Sequence, residues 1–352
     1  MKKLSMAIAA GLLVATSAAQ ARDNISIVGS STVYPFTTTV AENYAKKTGN
    51  PAPKVESTGT GGGMKLFCEG AAVETADMTG ASRRIKESEL ADCKKNGVSP
   101  VEIKIGYDGI AVANAKAADA YNFTRRDLFL ALAKEVPEVS GGNMDGVMGS
   151  VKLIPNPYKT WKEVNPELPD APIEVLGPPP TSGTRDAFVE LVMHEGCKSF
   201  PAIKKLEKED GDQFKKICNS MREDGKYIEA GENDNLIVQK LQANPKAVGI
   251  FGFSFLDQNA DKVKGSAIEG VEINFDNIAA GKYSVSRPLY VYVKKEHVGT
   301  VKGIEDFVTE LTSDAAWGDT GYLAEKGMIP MPEAERQSFG EAAKGLKVLE
   351  SL

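Results

Sequence analysis

The chain has 352 residues, 42% hydrophobic and 26% charged, which excludes a disordered or collagen-like chain. That length leaves room for about two domains. With 42 Lys and Arg against 48 Asp and Glu, the net charge of −6 lacks the basic footprint of a general nucleic-acid binder. Only two histidines, His194 and His297, are present, so neither a multi-histidine metal site nor any other metal or cofactor is expected.

The first element is a targeting segment. Lys2 and Lys3 precede an apolar run over 4–15, and Ala19-Gln20-Ala21 supplies small residues at the −3 and −1 positions. This is the pattern of a secretory signal over 1–21, cleaved after Ala21. The run is too short and too rich in Ala, Ser and Thr to favour a membrane anchor, and no later stretch approaches the ~20 apolar residues a span needs. Cleavage removes two lysines and takes the charge from −6 to −8. The expected product is an exported, soluble, periplasmic protein. In an oxidising compartment its four cysteines read as disulfides. Of the three possible connectivities, the sequential one, Cys68–Cys93 and Cys197–Cys218, is expected because it closes two short loops. Each would contribute roughly 3 kcal/mol. No Cys-x-x-Cys is present to suggest redox catalysis.

A strand over 25–28 is followed by Gly29-Ser30-Ser31-Thr32 and a helix from about Pro35, with Phe36, Val40 and Tyr44 on one face and Gly49 ending it. A second strand over 54–57 runs into Thr58-Gly59-Thr60-Gly61-Gly62-Gly63 and a short helix over 64–69. A third crossing over 77–82 leads to Arg83-Arg84 and a polar helix. Strand, small-residue loop and helix, repeated three times, predict an open α/β sheet with ligands at the carboxyl ends of its strands. Extended segments over 101–105 and 109–113 flank Gly106-Tyr107-Asp108. A helix over 126–133, a Gly/Pro-rich region over 141–157 and a strand over 173–176 come next. Pro178-Pro179-Pro180-Thr181-Ser182-Gly183-Thr184 then precedes a helix over 185–194. Late strands over 247–253 and 289–293, and helices over 304–311 and 334–346, complete the chain. Trp161 and the alternating Phe251, Phe253 and Phe255 read as core, and His194-Glu195 as the end of a helix.

Four loops carry the chemistry: Ser30-Ser31-Thr32, Thr60-Gly61-Gly62-Gly63, Ala81-Ser82-Arg83 and Thr181-Ser182-Gly183-Thr184-Arg185. Helix N-termini present unpaired N–H groups and a partial positive charge. Hydroxyls add donors without charge, and arginine can fork onto a tetrahedral oxyanion. Singly, each loop is no more than a helix cap or a turn; together they point to an oxyanion site. Lys65 is followed by Leu66, so no P-loop is present, and no dinucleotide fingerprint opens a helix.

These motifs resemble those of the periplasmic phosphate-binding receptors of high-affinity phosphate ABC transporters, which are type II periplasmic binding proteins. The carriers are Gly29-Ser30-Ser31-Thr32-Val33-Tyr34-Pro35, Thr58-Gly59-Thr60-Gly61-Gly62-Gly63-Met64-Lys65 and Gly80-Ala81-Ser82-Arg83-Arg84. Asp108-Gly109-Ile110-Ala111-Val112 and Thr181-Ser182-Gly183-Thr184-Arg185 join them, with support from Gly231-Glu232-Asn233-Asp234-Asn235 and Ser286-Arg287-Pro288-Leu289-Tyr290. The resemblance implies two α/β lobes, 22–108 plus 289–352 and 109–288, joined by a two-strand hinge near 106–108 and 287–289. It implies phosphate contacts from Ser31, Thr32, Thr60, Gly61, Ser82, Ser182, Gly183 and Thr184. Where many members of the family carry an aspartate, this chain has Arg83, and Pro178 stands four residues before Ser182 where an arginine is usual. Arg83 and Arg185 are therefore expected to supply the charge. Asp108, or next Asp234, would accept the proton of phosphate, which sulfate lacks. The expected function is a non-enzymatic, monomeric receptor delivering inorganic phosphate to a membrane permease. The alternatives are a receptor for sulfate or molybdate, or a secreted serine hydrolase or phosphatase using Ser31 or Ser182.

Overall fold

The computed structural model describes residues 22, 24–138, 152–180, 182–230 and 234–352. The expected signal segment, most of the Gly/Pro-rich region, Thr181 and Glu232 lie outside the described residues. The first half follows the periodicity closely. Strand β1 (Ser26–Gly29) leads into helix α1 (Tyr34–Thr48), which buries Phe36, Val40 and Tyr44 on one face. Gly49 stops that helix in the left-handed region, its N–H bonded to the Ala45 carbonyl. Strand β2 (Lys54–Ser57) occupies the predicted residues, and β3 (Met78–Ala81) precedes the polar helix α3 (Glu87–Lys95).

Three expectations are corrected. The glycine triplet is not a loop before a helix: α2 (Thr60–Phe67) begins at Thr60 and includes all three glycines. Close packing explains it, because a Cβ on Gly63 would lie 2.4 Å from the Gly29 Cα and 2.6 Å from Thr79 Oγ1. The extended segments around Gly106-Tyr107-Asp108 are one unbroken strand, β4 (Pro100–Ala115), because both halves find partners. The alternation of Phe251, Phe253 and Phe255 is not a strand pattern throughout, since Phe253 and Phe255 sit in a helix, Phe253–Gln258.

The remaining strands of the main sheet are β5 (Val175–Gly177), β6 (Tyr227–Glu229), β7 (Val248–Gly252), β8 (Val263–Gly265) and β9 (Ser286–Lys294). Their order among the described residues is β2-β1-β3-β9-β4-β7-β5-β6, with β8 also against β4. β1 is parallel to β2 and β3, whereas β9 runs antiparallel to both β3 and β4. Residues 100–109 of β4 pair with β9, and residues 110–115 pair with β7 and β8. One strand thus belongs to two groups of strands.

Both expected disulfides form, Cys68–Cys93 and Cys197–Cys218. The first joins the end of α2 to α3 inside a small apolar cluster with Phe67, Leu90 and Tyr292. Trp161 is buried against Phe123, ring centroids 4.7 Å apart, as expected of a core residue. Among the described residues no helix is long and apolar enough to cross a membrane.

Candidate functional site

The parallel registers put three loops on one sheet edge. Gly29 pairs with Ser57 on one side and Gly80 on the other, so the carboxyl ends of β1, β2 and β3 are level. The segments leaving them carry Ser31 and Thr32, Thr60 and Gly61, and Ser82 and Arg83. Contact between the first and third is backbone on backbone: the Ser30 N–H donates to the Gly80 carbonyl at 2.9 Å. Gly29, at φ +128°, permits this approach, since a Cβ there would stand 2.2 Å from that same carbonyl oxygen. The second and third are joined by side chains. Thr60 Oγ1 lies 3.0 Å from Ser82 Oγ and accepts from the Ser82 N–H at 3.1 Å.

The fourth loop comes from the other group of strands. Helix α4 (Gly183–Phe188) continues through a π-turn (Val189–Met193) to Cys197, so the predicted 185–194 helix starts two residues earlier and ends later. Ser182 caps it, its Oγ accepting from the Thr184 N–H at 3.2 Å. A Cβ on Gly183 would lie 3.7 Å from the Ser31 carbonyl and 3.8 Å from the Thr32 Cα. The N-terminus of α4 therefore faces the Ser31–Thr32 turn at contact distance.

The two arginines expected to carry charge are engaged elsewhere. Arg83 forks onto Glu89 at 2.7 and 2.9 Å, and that hydrogen bonding raises its already high pKa. Arg84 forks likewise onto Glu102, and both pairs hold the segment after β3 in place. Arg185 donates to the Pro178 carbonyl at 3.3 Å and lies over the Tyr227 ring, 4.7 Å from its centroid.

Arg287 occupies the centre instead. It sits on β9 directly opposite Asp108 on β4, and only 9% of its side chain is exposed. Its Nη2 donates to Thr32 Oγ1 at 2.7 Å, and its Nη1 pairs with Glu190 of the π-turn. Its Nε is 3.6 Å from Asp108 Oδ2, an ion pair too long for a hydrogen bond, and both atoms are buried without a hydrogen-bond partner among the described residues. A buried donor and a buried acceptor, side by side and unsatisfied, are costly unless something else engages them. Burial pushes the Asp108 carboxyl above the usual carboxylate range; Arg287 opposes that shift and the Glu190 charge adds to it.

Thr32 and Asp108 thus meet at Arg287, with Gly183 against the Ser31–Thr32 backbone, while Thr60 and Ser82 form a second contact on the same edge. Arg287 and Glu190 carry the arrangement, and sequence reasoning missed both. The motif Ser286-Arg287-Pro288 was visible, but the signal that matters, a cation in register with Asp108, exists only once β4 and β9 pair. Asp234, the second candidate acceptor, starts the helix Asp234–Ala243. Neither histidine meets Ser31 or Ser182: His194 bonds Asn219, and His297 bonds Asp77.

Several known proteins resemble this chain over most of its length. A phosphate-binding protein PstS of Staphylococcus haemolyticus is 30% identical over 303 residues, 84% of this chain and 79% of that protein. Protein SphX of Synechococcus elongatus is 27% identical over 333 residues, 93% of this chain and 83% of its own. A crystal structure of a possible phosphate binding protein from Planctomyces limnophilus superposes with a TM-score of 0.72 at 28% identity. It covers 93% of this chain and 99% of that one. A family model described as the PBP superfamily domain matches residues 14–315. With that match spanning most of its length, the chain belongs to the PBP superfamily domain family.

Proposed function

We propose that this chain is an exported, monomeric receptor that captures inorganic phosphate between two lobes and delivers it to an ABC-type permease. The observation that carries the reading is the unsatisfied pair at the centre of the site, Arg287 Nε beside Asp108 Oδ2. A protonated phosphate answers both atoms at once, with an oxygen that accepts from Nε and an O–H that donates to the carboxylate. Sulfate offers only acceptors, and would set a lone pair against Asp108. The relative in Staphylococcus haemolyticus is named as a phosphate-binding protein, and this reading brings that ligand to the present chain.

In this reading the hydroxyls of Ser31, Thr32, Thr60, Ser82, Ser182 and Thr184 and the amides of Gly61 and Gly183 complete the cage. Arg83 and Arg185 contribute positive potential around it without forking onto the ligand. The lobes are 22–108 plus 289–352 and 109–288. The strands β4 and β9, which cross between them, are the hinge that absorbs closure. The four cysteines, paired in two disulfides, suit the periplasm.

Competition for labelled phosphate tests the proposal. Excess unlabelled phosphate should displace the label, and equal excesses of sulfate or molybdate should not. Displacement by sulfate as effective as by phosphate would overturn the phosphate assignment.

A further inference from the structure

We infer that Glu190 is an internal anion that holds Arg287 and that an incoming oxyanion must displace, which makes it a specificity-determining residue of the cleft. The inference rests on the oxyanion-receptor reading above. Arg287 faces two carboxylates, Asp108 from β4 and Glu190 from the π-turn, and donates to Thr32 with its remaining arm. Arg83, from the segment after β3, also feels the Glu190 charge, but its own guanidinium is forked onto Glu89. One buried cation against two carboxylates leaves the heart of the cluster with excess negative charge. An anion is received there only when one carboxylate leaves or takes up a proton.

The two carboxylates differ in their freedom to leave. The Asp108 side chain is 15% exposed and belongs to strand β4, fixed in register with Arg287 of β9. That of Glu190 is 53% exposed, so it can exchange Arg287 for water by rotating its own side chain. It also stands on a π-turn, a departure from α-helical geometry that recurs at functional positions.

A tethered carboxylate competes at an effective concentration in the millimolar range or above. Chloride brings a single charge and no fork, so it does not outcompete the tether. A tetrahedral oxyanion can replace Glu190 on Nη1 of Arg287 with one oxygen and use its others on the hydroxyl and amide donors of the surrounding loops. Glu190 thereby discriminates against abundant simple monoanions, through repulsion and competition as well as fit.

The test is calorimetric titration of the full mature protein with phosphate, sulfate, molybdate and chloride, in the parent, Glu190→Gln and Glu195→Gln. Glu195 removes one charge from the same helical stretch but pairs with Lys198, away from Arg287. Glu190→Gln should tighten phosphate binding by about fivefold or more, as expected for removing a charged competitor. It should also let chloride, which leaves the parent unaffected, compete with phosphate. Glu195→Gln should behave as the parent. Unchanged or weaker phosphate binding in Glu190→Gln, or an equal gain in Glu195→Gln, would overturn the inference. A parent that prefers sulfate or molybdate would overturn the phosphate assignment alone, with the effect of Glu190 then read on that anion. A parent and variant that bind no anion would overturn both.

Discussion

Arg287 is the residue on which the account turns, and its chemistry is specific to arginine. It spends one arm on Thr32, one on Glu190 and presents Nε towards Asp108. A lysine keeps the charge but cannot fork, so Arg287→Lys should weaken phosphate binding by at least about 2 kcal/mol, roughly thirtyfold. Arg83→Ala should lose less, since that guanidinium is already committed to Glu89. Isothermal titration of the two variants gives the ranking directly, and a larger loss at Arg83 would restore the expectation formed from sequence. Asp108→Asn adds a donor beside the acceptor, so it should weaken phosphate binding and relax the rejection of sulfate. The ratio of the two dissociation constants is the readout, and an unchanged ratio would remove Asp108 from discrimination. The hydroxyl loops were legible in the sequence because a Ser or Thr at the start of a helix is local information. Arg287 and Glu190 were not, because residues far apart in the chain meet only through the β4–β9 register and the packing of α4.

Helices and strands were legible wherever one periodicity dominated. β2 and the helix Ile304–Leu311 occupy the residues read from the pattern. Glycines misled the reading in two places, for opposite reasons. Gly106 and Gly109 flanked an expected break, yet β4 runs through both because β9 pairs with it on either side of Ile105, with a shift of register between Leu289 and Tyr290. The triplet Gly61-Gly62-Gly63 looked like a turn but forms the first turns of α2. There helix propensity is sacrificed so that the backbones of α2 and β1 can touch. Gly63→Ala should therefore be strongly destabilising, by about 1–3 kcal/mol or more, because its neighbour is the Gly29 backbone and cannot yield. Gly61→Ala meets nothing within 4 Å and should leave stability unchanged or raise it by up to about 1 kcal/mol. Urea denaturation of the two variants measures the difference; equal stabilities would contradict the packing explanation.

Across the whole molecule, β9 links two polar centres of different character. Arg287 lies at one end of the strand, and fully buried Lys294 lies at the other, donating to the Gly70 carbonyl and Thr75 Oγ1, both at 2.6 Å. Near it, buried Asp77 pairs with Arg22 and His297. Burial pulls the Lys294 pKa from 10.5 down to about 8, against the opposing pull of Asp77. Between pH 8 and 10.5 the unfolded chain holds this proton and the folded chain releases it. The contribution of Lys294 to stability should therefore rise with pH across that window and be flat below it. Comparing the pH dependence of the melting temperature in the parent and Lys294→Met isolates the effect, and identical slopes would refute it. The overall α/β order was readable from the repeated strand–loop–helix pattern, whereas the sharing of β4 between two strand groups depends on long-range pairing that no local window contains. The most direct test of the central claim is a crystal structure of the mature protein grown with phosphate. Phosphate should lie against Ser31, Thr32 and Gly183, with one oxygen accepting from Arg287 Nε and another within hydrogen-bond distance of Asp108 Oδ2. Phosphate bound away from Arg287, or a cleft without phosphate at saturating concentration, would contradict the account.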